Sequence, residues 1–419
     1  MNVLVKGINY IWLHLWKYKA VERQHARYVN AIRGKRPVRV VFMAIDLALW
    51  RYQHVYELMA KDKRFLPFIV LSPCIGRDTE KDMEPLRQYF HARNIRFIDY
   101  KGTPVDIRRE LNPDIIFYTQ PYEYLLIDEY DCRHFYDLLL CYMPYGLWIS
   151  TGKLSYNLHF HNQAWRLYYS STLHLEEARK VADNHGRNVW VVGYANADDY
   201  LTRHHDSSVW RASADGRLRK RIVWAPHFSV IKEHLTLPPR SNFLWMAQLM
   251  LDIAREYADS IQIAFKPHPS LLTQLYQLED WGRQRTDAYY AEWQQMENTQ
   301  LETGVFTELF MTSDAIIHDS GSFAAEYHYS LKPAMFVSKD MRPILATQSA
   351  FGKQAHDMHY IGSSETDIRW FIDEVVLNGN DPMLPKRRAF YEDFLLPPNQ
   401  SSVAQNIVND IADSLQLGE

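Results

Sequence analysis

A chain of 419 residues with a formal net charge of -3 and 47% hydrophobic residues is long enough for two domains with sizeable cores. The near-neutral balance argues against a dedicated nucleic-acid binder, which would be basic. No run of about 18 apolar residues occurs, so no membrane-spanning helix is expected. The aromatic share of 14% fits either a groove for a polyol or sugar or simply aromatic cores. Cys74, Cys132 and Cys141 show neither CxxC nor metal-ligand spacing and read as reduced, buried thiols of a cytoplasmic protein.

Residues 1–36 form an amphipathic, basic segment. Ile8 to Trp16 is apolar and Trp-rich, and Lys17 to Arg36 is basic. It has no small-residue cleavage site, so no signal peptide is expected. Trp12, Leu15 and Trp16 with flanking Lys and Arg suit either a membrane interface or a helix packed on the protein's own surface.

Val38 to Ala44 is a β-branched run suited to a buried parallel strand. Helical patterns follow at 46–60, 82–94, 107–111 and 175–183. Strands are expected at 68–72, 95–99, 114–119, 138–143, 166–170 and 189–192. This alternation predicts a doubly wound domain over 37–206. The polar stretch Ser207 to Arg217 breaks it. A second alternating set spans 219–399, with strands at 221–225, 261–265, 315–317 and 333–337 and a helix at 243–257. A capped helix over 400–419 closes the chain.

Polar residues collect at the ends of the second set's strands. After 221–225 come Pro226 and His227; after 261–265 come Lys266, Pro267 and His268; after 315–317 come His318, Asp319, Ser320, Gly321 and Ser322. Strand, small-residue turn and helix is a local architecture that offers backbone donors to an anion, and also an ordinary capped βα turn. Glu326 lies one turn into that helix, within reach of ribose hydroxyls. Histidine, lysine and a helix start suit a diphosphate better than a metal. No HExxH or paired CxxC occurs, and no metal or other cofactor is expected. The chain also lacks GxxxxGK[ST], GxSxG and, after the first strand, GxGxxG.

These motifs resemble the CDP-glycerol glycerophosphotransferases, the family that primes and polymerises teichoic acids and related capsules. The likeness is carried by Val192-Gly193-Tyr194-Ala195-Asn196-Ala197-Asp198, Val223-Trp224-Ala225-Pro226, Phe265-Lys266-Pro267-His268-Pro269, and His318 to Ser322 followed by Glu326-Tyr327 and Lys332-Pro333. It extends over roughly residues 135 to 415. It implies a GT-B architecture, two doubly wound Rossmann-like domains facing a central cleft, with donor nucleotide on the second and acceptor on the first.

The implied activity is transfer of a polyol phosphate from a CDP-linked donor to a hydroxyl of a cell-surface glycan or lipid-linked acceptor, releasing CMP. Lys266, His268, His318, Asp319, Ser320, Gly321, Ser322 and Glu326 are the implied donor residues. The implied location is the cytoplasm, against the inner face of a bacterial plasma membrane. The family's Trp-His-Gly motif is replaced by Tyr142-Met143-Pro144-Tyr145-Gly146-Leu147-Trp148, so its base histidine is absent. His227 and His268 are the catalytic candidates, with His54, Tyr145 and Gly146 on the acceptor side and His159 or His161 as further bases. A GT-B sugar transferase with a nucleotide-sugar donor and an inactive scaffold are the alternatives.

Overall fold

In a computed structural model, described for residues 18–418 except 203, 214–215, 232–240 and 305, each alternating set closes into its own six-stranded parallel sheet. The expected interfacial stretch Ile8 to Trp16 lies outside the described residues. Residues 18–32 form a helix. No helix among the described residues is long and apolar enough to cross a membrane.

The first unit runs to Asp198 and takes up the chain again from Phe394. Its strands are β1 (Val38–Ala44), β2 (Phe65–Leu71), β3 (Ile115–Tyr118), β4 (Leu139–Tyr142), β5 (Arg166–Tyr169) and β6 (Val189–Val191). They lie in the order β2-β1-β3-β4-β5-β6. Strands β3 and β4 are buried throughout, as parallel strands covered on both faces must be. The expected strand at 95–99 is only a bridge between Ile98 and Val70.

The last helix, Val403–Ser414, belongs to this unit. The Asp198 carboxylate accepts from the Val403 and Ala404 N–H groups at 2.7 and 3.0 Å, donors that a helix start leaves unpaired. Gly193, at φ +108°, lets the chain pass the helix: a Cβ there would meet Val403 Cγ2 at 2.8 Å and Pro397 Cβ at 3.0 Å. Farther along, Asp410 accepts from Arg166 Nε at 3.0 Å and from the Tyr168 hydroxyl at 2.8 Å.

The second unit is Asp199–Asp393. Its strands are β7 (Lys220–Ala225), β8 (Ile261–Phe265), β9 (Thr299–Leu301), β10 (Ala315–His318), β11 (Ala334–Val337) and β12 (Tyr360–Gly362), ordered β12-β11-β10-β7-β8-β9. The polar stretch expected to separate the domains lies within this unit, because buried Trp210 anchors it beside Val223 and Ile316. Aromatic residues fill the core: Trp224 stacks on Phe265 at 4.8 Å and on Phe243 at 5.9 Å between ring centroids. Strand order reverses between β7 and β10, and such a switch point opens a crevice at the strand ends.

Candidate functional site

The loops at that switch point carry the sequence-derived residues. β10, β7 and β8 are consecutive in the sheet, so the turns after them are neighbours. The His227, Phe228 and His268 rings form one cluster. Phe228 lies 4.3 Å from His227 and 4.6 Å from His268, and the two imidazoles are 5.5 Å apart between centroids.

Backbone bonds fix the tautomers. His268 Nδ1 accepts the Ser270 N–H at 3.1 Å, so its neutral ring carries the proton on Nε2. His227 Nδ1 accepts the Ser229 N–H at 3.3 Å, with the Ser229 hydroxyl at 2.8 Å, and is likewise protonated on Nε2. Burial, and then the Lys266 charge, hold His268 below the ordinary histidine range. Lys266 is itself buried, and its Nζ donates to the Gly304 carbonyl at 2.9 Å. Burial brings its pKa down to about 8, against the pull of Glu302.

Asp319 holds this set in place. One carboxylate oxygen accepts from the His227 N–H at 2.6 Å, and the other accepts from the Asn242 N–H and its side-chain amide. The Asn242 amide also donates to the Val337 carbonyl at 2.9 Å. The turns after β10 and β7, the end of β11 and the start of the helix Phe243–Glu256 are thus pinned together. Burial raises the Asp319 pKa to about 6 despite these donors.

The helix expected after the turn that follows β10 is short. Phe323–Glu326 is one turn of α-helix, continued by a 3-10 turn, Tyr327–Ser330, which ends at Leu331 with φ +57°. Neither expected serine cap forms: Ser320 is buried, and Ser322 is exposed and makes no side-chain cap bond. Glu326 is buried and accepts from the Tyr200 hydroxyl at 3.1 Å, while the Tyr200 ring stacks on Tyr329 at 4.7 Å. His318 faces inward: its Nδ1 lies 3.1 Å from the Ser320 carbonyl and its Nε2 lies 3.0 Å from His359 Nε2. His318 therefore joins the core side of the turn, away from the His227–Phe228–His268 cluster.

In the first unit, the Tyr52 hydroxyl donates to the Tyr118 carbonyl and accepts the Met143 N–H, at 2.8 and 2.9 Å. Arg51 Nε donates to the Tyr145 carbonyl at 3.2 Å. The acceptor-side candidates His54, Tyr145 and Gly146 are half-buried around these contacts. Burial pushes the Tyr145 phenol up to about 12. Gly146 has nothing within 4 Å of the place a Cβ would take. His161 is a core residue, 1% exposed, whose Nδ1 accepts the Leu158 N–H. His159 is 43% exposed, with Nδ1 at 2.7 Å from Glu123 Oε1. Among the described residues no group of three or more His, Cys, Asp or Glu side chains is arranged to hold a metal.

Asn242 and Tyr200 were not visible as site residues in the sequence. Asn242 lies 77 positions from Asp319, Tyr200 lies 126 from Glu326, and neither sits in a motif.

No family model and no curated protein matches the sequence. Solved structures do match its fold. The wall teichoic acid polymerase TagF superposes with a TM-score of 0.61 at 13% identity, covering 98% of each chain. The UDP-bound S. aureus MnaA gives 0.54 at 12%, over 91% of this chain and 98% of that one. A UDP-GlcNAc 2-epimerase from Neisseria meningitidis bound to UDP-GlcNAc gives 0.51 at 13%, over 89% and 100%. With two six-stranded, doubly wound parallel sheets in one chain, the protein has the two-domain, Rossmann-like GT-B fold.

Proposed function

We propose that this protein is a transferase that moves a polyol phosphate from a CDP-linked donor to a hydroxyl of a cell-surface glycan or lipid-linked acceptor and releases CMP. The observation that supports it is the His268 ring, held by the Ser270 N–H so that its Nε2–H is left to donate, with only β7 between its strand and that of the Ser320-Gly321-Ser322 turn. In this reading the turn and Lys266 hold the diphosphate, and Glu326, oriented by Tyr200, takes the ribose. The first unit is assigned the acceptor, and the segment 8–36 a contact with the inner membrane face.

In the reaction the acceptor oxygen forms a bond to the phosphorus of the polyol phosphate. The bond from that phosphorus to the bridging oxygen breaks, and CMP leaves with the electron pair. Phosphoryl transfer asks mainly for positioning and charge stabilisation. His268 presents a proton rather than a lone pair at Nε2, which suits stabilising the phosphate and the departing CMP. Proton removal from the acceptor then falls to another group.

A nucleotide-sugar donor is the second reading. It is favoured by the loop after β4, where Met143 is buried and tied to Tyr52 in the stretch where the resembling family has its base.

The test is thermal stabilisation by CMP, CDP, CDP-glycerol, UDP and GDP, followed by CMP release. A ligand at 100 times its Kd adds about 2.7 kcal/mol. Selective stabilisation by cytidine nucleotides, lost in His268→Ala, is expected. Selective stabilisation by UDP or GDP would replace the donor, and silence across the panel would overturn the transferase reading.

A further inference from the structure

Behind the turn that follows β10, four histidines, His318, His328, His356 and His359, are buried together, each at most 4% exposed. Two of them meet nitrogen to nitrogen. His318 Nδ1 lies 3.1 Å from the Ser320 carbonyl, and His359 Nδ1 lies 3.0 Å from the Ala355 carbonyl. A carbonyl only accepts, so each Nδ1 carries a hydrogen. A neutral imidazole has one N–H, and both Nε2 atoms are therefore bare. Yet these two Nε2 atoms face each other at 3.0 Å. With both rings neutral, two lone pairs point at one another in a site closed to water. With one added proton the contact becomes an N–H···N bond and both acceptors are satisfied. A second proton would set two N–H groups head to head and break the contact.

We propose that His318 and His359 form a site for a single shared proton, and that this proton locks the Ser320 turn. The lock acts through the His318 Nδ1–H bond to the Ser320 carbonyl, at the base of Gly321 and Ser322.

Among the described residues the surroundings offer no competing counter-charge. The Phe336 ring lies edge-on to His318 at 5.3 Å and to His356 at 4.7 Å. The His328 ring packs on His359 at 4.7 Å, and its Nε2 donates to the same Ala355 carbonyl. On the neighbouring helix Leu384–Phe390, buried Arg387 is paired with Asp381, while Lys386 bonds the Asp357 carbonyl. Asp319, the next residue along the strand end, is committed to His227 and Asn242. Burial and the other rings hold His318 down to about 3 and His359 well below the ordinary range. Neither ring keeps a charge of its own, and a proton stays only where both nitrogens hold it.

The proton count can be read without any nucleotide, so its failure is distinct from failure of the transferase reading. The full-length protein, labelled with 15N-histidine, is titrated by imidazole 15N spectroscopy. His318→Gln and His359→Gln assign the pair, and His328→Gln serves as a second assignment control.

The shared N–H···N bond has to lift the pair above these single-ring values, so at about pH 6.5, the ordinary histidine midpoint, the two Nε2 signals should lie together between the bare and protonated positions. They should move as one step as the pH rises, unchanged by dialysis against EDTA. In His359→Gln the amide supplies the hydrogen to His318, and the step should vanish while the fold is kept. Two Nε2 signals at the bare-nitrogen position across the neutral range would overturn the proposal. So would a shift on EDTA treatment, which would put a metal between them. Should the glutamine variants fail to fold, the wild-type spectrum still decides, because a coupling between two imidazole Nε2 nuclei is transmitted only across an N–H···N bond, and its absence would overturn the proposal.

Discussion

Acid should unfold the first unit through three of its histidines. His25, His161 and His174 are buried there, and burial is the main cause that lowers them to about 4, 3 and 4. In His174 the neutral ring is fully used: Nε2 donates to the Trp148 carbonyl at 2.9 Å, and Nδ1 faces the Ser171 hydroxyl at 2.8 Å. A folded pKa below the unfolded value means that the unfolded chain binds protons first. The stability these groups supply is present above about pH 6.5 and is lost as pH falls towards the folded values.

Between about pH 7.5 and pH 5 each group forfeits about 2 kcal/mol, and the three together about 6 kcal/mol, comparable with the whole stability of many domains. Hydrogen exchange of first-unit peptides, measured at the two pH values, reads this directly. His174→Gln keeps a donor for Trp148 but does not titrate. It should shrink the acid loss by about 2 kcal/mol. Equal protection of first-unit peptides at both pH values, or an unchanged acid loss in His174→Gln, would refute the reasoning.

Three further outcomes are expected. Replacing His268 by Ala should weaken cytidine-nucleotide binding by about 10–150-fold, the worth of a hydrogen bond to a charged group; His268→Gln, which restores a side-chain N–H, should recover part of it in calorimetric titration. Asp198→Ala strips a carboxylate from two helix-start N–H groups and should cost the first unit about 2–4 kcal/mol, a fall in melting temperature of about 5–15 °C by calorimetry. Tyr200→Phe leaves buried Glu326 without that donor and should cost the second unit about 1–3 kcal/mol in urea unfolding, with nucleotide affinity falling alongside.

The parallel sheets were readable because their central strands are short apolar runs between helical patterns. β9 (TQL) and β12 (YIG) escaped because three residues at a sheet edge carry too little apolar periodicity. The length of the helix after Ser322 was not legible: Leu331 in the left-handed region ends it, and no residue type announces that. The strand-end histidines stood out by position alone. What they do locally was hidden, because it depends on partners distant in sequence. Asp319 reads as a site carboxylate until Asn242 is seen to occupy it, and His318 reads as a phosphate ligand until His359, 41 residues on, turns its Nε2 inward.

The bond between Asp198 and the final helix also has a bearing on synthesis. The first sheet is translated early, but the helix that Arg166, Tyr168, Gly193 and Asp198 are shaped to receive comes last. All of Asp199–Asp393 must leave the ribosome in between, about 10–40 s at ordinary elongation rates. Through that interval the nascent first domain carries an open apolar seat, a natural place for a chaperone to hold it. The second domain, continuous in the chain, can fold without waiting. Premature termination near residue 400 would therefore release a chain that is sound in its later domain and defective in its earlier one.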